Sequence, residues 1–247
     1  MEHVLQLIEC PRDAMQGWKK PISSGDKVRY LNSLLKAGFH SLDFGSFVSP
    51  KAIPQMADTR EVLEQLNWRE SRTKLLAIIA NLRGAEEAVA SEGVHYLGFP
   101  FSVSPTFQQR NTNAGIDESF QRLRDIQDCC TEHGRELVVY LSMAFGNPYG
   151  DPYSMDEVLR MAMRCRALGV GIISLADTVG LASPDLVNSL TGLLVRELPE
   201  TTIGVHLHST PERWREKVEA AWEAGCRRFD GALGGYGGCP MAGNDLV

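Results

Sequence analysis

The stretch LVVYLSMAFGNPYGDPYSMDEVLRMAMRCRALGVGIISLADTVGLASPDLVNSLTGLLVRELPETTIGVHLH, residues 137–208, decides the fold. It holds three short apolar runs rich in β-branched residues, at 137–141, 171–175 and 202–207. Between them lie two longer amphipathic segments, 154–168 and 183–197. Short apolar runs with β-branched content read as strands, and apolar residues three or four apart read as helix. The punctuation agrees. Gly169 follows the first helical segment, and Ser183 before Pro184 supplies an N-cap and a first-turn proline for the second. Strict alternation of strand and helix calls for parallel strands with helices packed across them.

The same rhythm continues in both directions. Further strands read at 4–9, 41–44, 75–79, 96–99 and 228–230, and further helices at 24–37, 54–66, 84–91, 117–133 and 210–224. Ser24 reads as the N-cap of the first of these helices, while Gly38, Gly134 and Gly225 stand just past helix ends. Eight strands with this spacing predict a closed α/β architecture, the (β/α)8 or TIM barrel. No GxGxxG follows the first strand, so an open dinucleotide-binding sheet is disfavoured. The chain of 247 residues suits a single barrel domain spanning 1–247. Only the glycine-rich segment 231–247 follows the eighth strand. An eighth helix is therefore absent from the sequence, and truncation at the C-terminus is the expectation.

Composition narrows the function classes. The chain is 43% hydrophobic and 23% charged, enough for a folded core. A net charge of −6 argues against nucleic acid as partner. No apolar run approaches the roughly 18 residues of a membrane span, and the first strand begins at Val4, so neither a membrane partner nor a leader peptide is expected. The expected location is cytoplasmic. Cys10, Cys129, Cys130, Cys165, Cys226 and Cys239 form no CxxC pair, so a zinc ribbon or redox motif is not indicated.

Barrel active sites form at the C-terminal ends of the strands. Those ends carry Glu9, Cys10, Arg12 and Asp13; Asp43 and Ser46; Ser142 and Asn147; Asp177 and Thr178; His206 and His208; and a glycine-rich loop with Cys239. His206 and His208 are two apart, so on a strand they share a side. With Asp13 they make a set suited to Mg2+, Mn2+ or Zn2+, a reading favoured here over a packed core histidine. Arg12 reads either as half of a surface ion pair or as a donor to an enolate oxygen. Asp43 and Asp177 read either as partners that orient the histidines or the arginine, or as caps of the next segment. Cys239, in GGYGGCP (234–240), reads either as a general acid on a mobile loop or as an incidental thiol.

Several motifs together resemble one family. IECPRDAMQ (8–16), SFVSPKAIPQM (46–56), SPTFQQRNTNAGIDESFQR (104–122), SLADTVGLASP (174–184), VHLHST (205–210) and GGYGGCPMA (234–242) are similar, in order, to segments of the hydroxymethylglutaryl-CoA lyases. The likeness covers essentially the whole chain, and SFVSPKAIPQM is its most discriminating part.

The resemblance implies retro-Claisen-type cleavage of 3-hydroxy-3-methylglutaryl-CoA to acetyl-CoA and acetoacetate. It implies a divalent cation held by Asp13, His206 and His208, with Arg12 stabilising an enolate and Cys239 returning a proton. Asp43, Asp177 and His206 join the expected catalytic set. The partners expected are an acyl-CoA and a second copy of the chain in a homodimer. Four positions depart from the family pattern: Ala14 stands for glycine, Asp43 for glutamate, and Leu207 and Ser209 for the cysteine and aspartate of HCHD. The family's asparagine ligand would fall just past Val247, with Asn244 as the alternative in a shortened loop. Two other readings stay open. One is a related lyase, aldolase or condensing enzyme for another 3-hydroxyacyl-CoA or a 2-oxoacid. The other is a barrel that binds metal or acyl-CoA without turnover.

Overall fold

The computed structural model describes residues 4–237. Eight parallel strands follow one another round a closed barrel: β1 Gln6–Glu9, β2 Ser41–Ser46, β3 Lys74–Ile78, β4 Val94–Ser102, β5 Glu136–Ser142, β6 Ile172–Asp177, β7 Thr202–Leu207 and β8 Arg228–Gly231. The ring closes where β1 pairs with β8, Gln6 opposite Arg228 through Glu9 opposite Gly231. All eight strands expected from the sequence form.

Alternation along the strands separates two cores. Residues such as Leu75, Leu97, Val139, Ile173 and Val205 point outward and meet the helices in one large apolar layer. Their neighbours Leu76, Ile78, Tyr96, Val138, Tyr140 and Ile172 form a smaller cluster inside the barrel. This is the period-2 geometry of a strand buried on both faces.

The helices are α1 Pro11–Gln16, α2 Ser24–Leu35, α3 Thr59–Glu64, α4 Leu82–Val89, α5 Pro105–Thr112, α6 Ile116–Glu132, α7 Met155–Ala167, α8 Pro184–Glu197 and α9 Trp214–Glu223. Ser154 and Ser183 cap α7 and α8 by accepting from the backbone N–H of Glu157 and Leu186 at 3.1 and 3.2 Å. Gly134, Gly169 and Gly225 end their helices with φ of 62°, 92° and 96°.

Two expectations need correction, and two further helices form. The cap of α2 is Ser23, whose Oγ accepts from Asp26 N–H at 3.1 Å; Ser24 is already helical. The helix expected over 54–66 breaks into a 3-10 turn, Pro54–Met56, and α3. Thr59 pins that break: its Oγ donates to the Met56 carbonyl at 2.8 Å and accepts from Ser46 N–H at 3.1 Å. Residues after β1 form a short helix, α1, whose first position suits Pro11 because no N–H partner is needed there. After β4 the segment from Pro105 is helical as well, capped by Ser104. Among the described residues only a 3-10 turn, Leu233–Gly235, follows β8. Leu5 and Leu7, at the start of the first strand, remain 44% and 45% exposed.

Candidate active site

Helix α1 turns its first residues into the mouth of the barrel. Arg12 and Asp13 are both buried there, and Asp43 on β2 is 1% exposed. Arg12 Nε donates to both Asp43 oxygens, at 3.2 and 3.0 Å, and Nη2 donates to Oδ2 at 2.5 Å. Nη1 donates to Asp13 Oδ1 at 3.1 Å and to Gln16 Oε1 at 2.8 Å. Gln16 Nε2 completes the ring by donating to Asp13 Oδ1 at 2.6 Å. A guanidinium carries five N–H donors. These bonds leave one N–H of Nη2 without a partner among the described residues. Burial pulls the Arg12 pKa down, but Asp43 and Asp13 more than offset it, so the guanidinium stays charged. Burial lifts the Asp43 carboxyl to about 6 against the pull of Arg12. Of the two readings of Arg12, the surface ion pair is ruled out by this burial.

Across the mouth, β7 delivers the histidines. The His206 and His208 rings lie 5.3 Å apart between centroids, and Nε2 of His206 is 3.9 Å from Asp13 Oδ2. Asp13, His206 and His208 each offer a donor atom within 4.8 Å of the others. One carboxylate and two imidazoles on such a short perimeter fit a divalent cation. Among the described residues, His208 Nδ1 is buried without a hydrogen-bond partner, which suits a ligand nitrogen. Burial, then the neighbouring His206, keeps His208 below its ordinary pKa. Burial pulls His206 down too, but Asp230 and Asp13 outweigh it and its pKa is raised.

Asp177 does not turn to the imidazoles. Its Oδ2 accepts from Lys217 Nζ at 2.8 Å and its Oδ1 from Ala182 N–H at 3.1 Å. Lys217 also donates to the His208 carbonyl at 2.9 Å, so Asp177 acts on the histidine strand through backbone. Ser46 Oγ accepts from Val48 N–H and Thr178 Oγ accepts from Met143 N–H. Asn147 ties its own loop by accepting from the N–H groups of Tyr149 and Asp151. These three shape loops, and none joins the cation set.

Glu9, Gln16, Lys217 and Asp230 take part in this site although the sequence reading assigned them no role. Buried Glu9 accepts from Leu233 N–H at 3.1 Å and so ties β1 to the glycine-rich segment. That segment reaches the cation set at Gly237, where an added Cβ would stand 2.9 Å from Asp13 Oδ2. Cys239 and Asn244 lie outside the described residues. A cavity of about 870 Å3 opens over Asp13, His206 and His208 and is walled on one side by residues 234–237. It is large enough for a substantial organic ligand.

The match to known families settles the class of this mouth. Residues 6–246 match the family model described as HMGL-like. The chain belongs to the HMGL-like family. It is 33% identical to the 3-hydroxy-3-isohexenylglutaryl-CoA/hydroxy-methylglutaryl-CoA lyase of Pseudomonas aeruginosa over 96% of this chain and 79% of that protein. It is also 32% identical to the (R)-citramalyl-CoA lyase of Chloroflexus aurantiacus, over 98% of this chain and 79% of that one. The structure of an HMG-CoA lyase from Acinetobacter baumannii with coenzyme A and 3-methylmalate superposes with a TM-score of 0.87. That match is 33% identical and covers 97% of this chain and 78% of that one. This HMGL-like chain is thus an enzyme of the carbon–carbon lyase class. Among the described residues, no helix is long and apolar enough to cross a membrane.

Proposed function

We propose that this HMGL-like enzyme cleaves 3-hydroxy-3-methylglutaryl-CoA to acetyl-CoA and acetoacetate with the help of a divalent cation. The observation that carries the reading is the meeting of Asp13, His206 and His208 beside an arginine with one donor uncommitted among the described residues. Asp13, His206 and His208 would hold the cation; Mg2+ and Mn2+ suit the set, and Zn2+ also matches its donors. When bound, the cation supplies Lewis-acid polarisation of the substrate's hydroxyl and carbonyl oxygens.

The protein groups then divide the work. As the hydroxyl gives its proton to solvent in the open cavity, the bond between C2 and C3 breaks, C3 becomes the ketone carbon of acetoacetate, and negative charge moves to the thioester oxygen of the acetyl-CoA fragment. The uncommitted N–H of Arg12 is the donor for that oxygen, and Asp43 fixes its direction by gripping the other side of the guanidinium. Cys239, two residues beyond Gly237, is the group assigned to return a proton to the carbanion carbon. Asp177 serves by holding the end of β7. Residues 1–247 are read as one catalytic domain, acting in the cytoplasm as a homodimer.

A cleavage assay tests the reading. The enzyme is mixed with 3-hydroxy-3-methylglutaryl-CoA and Mg2+ or Mn2+, and acetoacetate is followed with and without EDTA. EDTA-sensitive product is expected; no product from folded, metal-loaded protein sinks the proposal. A second substrate belongs in the same panel. The citramalyl-CoA lyase relative, with the departures at Asp43, Leu207 and Ser209, favours citramalyl-CoA as the first alternative 3-hydroxyacyl-CoA.

A further inference from the structure

Strand β8 contributes two charged residues to the inside of the barrel, two positions apart. Arg228 pairs in register with Gly204 of β7, and Asp230 pairs with His206. Arg228 is 0% exposed, and so is the Asp230 side chain. Room for the arginine comes from Gly204: a Cβ there would stand 3.0 Å from Arg228 Cγ and Cδ. From this position Arg228 Nη2 lies 3.9 Å from Asp230 Oδ1. The other oxygen, Oδ2, accepts from Ser174 Oγ at 3.2 Å and faces His206 Nδ1 at 3.8 Å. Tyr140 stands edge-on to the His206 ring, 6.0 Å between centroids.

His206 is therefore held between two carboxylates. Its Nε2 faces Asp13, a member of the candidate cation set, and its Nδ1 faces Asp230. An imidazole that gives one nitrogen to a cation is neutral and carries its proton on the other. Here that second nitrogen is buried and, among the described residues, has no hydrogen-bond partner within normal distance. Metal-ligating histidines usually donate this N–H to a carboxylate or carbonyl, which fixes the tautomer and the ring direction. Hydrogen bonds of this kind are often long before the site is loaded and tighten afterwards.

We infer that Asp230 is a positioning residue that fixes His206 with its proton on Nδ1 and its Nε2 toward Asp13, and that Arg228 supplies the charge that balances Asp230 inside the barrel. The inference rests on the cation reading given above. Ser174 holds the carboxylate at its distance from the ring, and Gly204 is the opening that lets the arginine reach it.

Mn2+ affinity, measured by electron paramagnetic resonance, tests it on wild type, Asp230→Asn, Asp230→Ala and the double variant Arg228→Met/Asp230→Asn. Asp230→Ala is expected to weaken Mn2+ roughly 10- to 100-fold. Asp230→Asn keeps an oxygen that accepts from Nδ1–H, so it is expected to lose less. The double variant removes the buried arginine's unbalanced charge and covers the case in which a single variant does not fold. Nitrogen-15 histidine spectra of the Zn2+-loaded wild type need no variant and should show the His206 proton on Nδ1. Undiminished Mn2+ affinity in Asp230→Ala, or a His206 proton on Nε2, overturns the inference. Asp13→Ala is the control for the reading beneath it: wild-type Mn2+ affinity in that variant removes the cation site and this inference together.

Discussion

Two buried ion pairs flank the mouth of this barrel, and they are used differently. On the β1–β2 side, Arg12 grips Asp43 and, among the described residues, still has an N–H to spare. On the β6–β7 side, Lys217 meets Asp177 at 2.8 Å and spends another donor on the His208 carbonyl. Both carboxylates are 1% exposed; Asp43 lies within β2 and Asp177 ends β6. Their partners decide the outcome. A planar guanidinium can be clamped on one edge and present the other to a ligand, whereas an ammonium on a flexible stem ties together whatever surrounds it. One pair aims a donor; the other fastens a strand end.

The largest expected effect falls on the fastening pair. Lys217→Met leaves Asp177 buried without its cation, a change that typically costs about 3–5 kcal/mol of stability. Urea unfolding measures it. A companion Asp177→Leu in the same chain should recover most of the loss, because an apolar pair of similar volume is often neutral. Unaltered stability in Lys217→Met would break the comparison.

Arg12→Lys comes next. The lysine keeps a positive charge for Asp43, so unfolding should stay close to wild type. What it lacks is the fork that aims a second donor into the cavity. Loss of one such donor commonly lowers kcat by about 10²–10³. Turnover of 3-hydroxy-3-methylglutaryl-CoA at saturating Mg2+ reads this directly. A variant that turns over normally would show that Arg12, like Lys217, only fastens.

The difference between the pairs also marks where sequence reasoning stops. Strand and helix alternation depends on local periodicity, so all eight strands were legible. The local signature Ser183–Pro184 announced α8, and the same Ser–Pro signature at Ser104–Pro105, not used in the reading, precedes α5. The HxH pair was legible because a strand places i and i+2 on one side. Asp13 was within reach once strand ends were compared. Asp230 was not, since its role comes from the register that sets it opposite His206. Lys217 was also hidden: it sits on α9, and only packing of that helix against α8 and β7 brings its Nζ to Asp177. Roles that depend on the third dimension leave no mark in spacing.

The smallest expected effect asks which wall of the site yields first. At Gly237 an added Cβ would stand 2.9 Å from Asp13 Oδ2, closer than ordinary packing allows, and φ there is 156°. Gly237→Ala must therefore move either the Asp13 carboxylate or the glycine-rich backbone. Neither shift disturbs the barrel core, so thermal unfolding should hardly change. If Asp13 gives way, Mn2+ affinity falls, by roughly tenfold as for other disturbed ligand shells, and kcat at saturating metal is kept. If the backbone gives way, Mn2+ affinity is kept and kcat falls, because the chain leading to Cys239 has been pushed off the site. Arg12 and Gln16 both hydrogen-bond Asp13 Oδ1 and anchor the carboxylate from behind. Among the described residues, the side-chain tie of the glycine-rich segment to β1 lies farther back, at Leu233. The better-anchored group should hold, so the expected result is reduced kcat with metal affinity intact. The opposite split would mean that the Arg12 clamp does not extend its grip to Asp13.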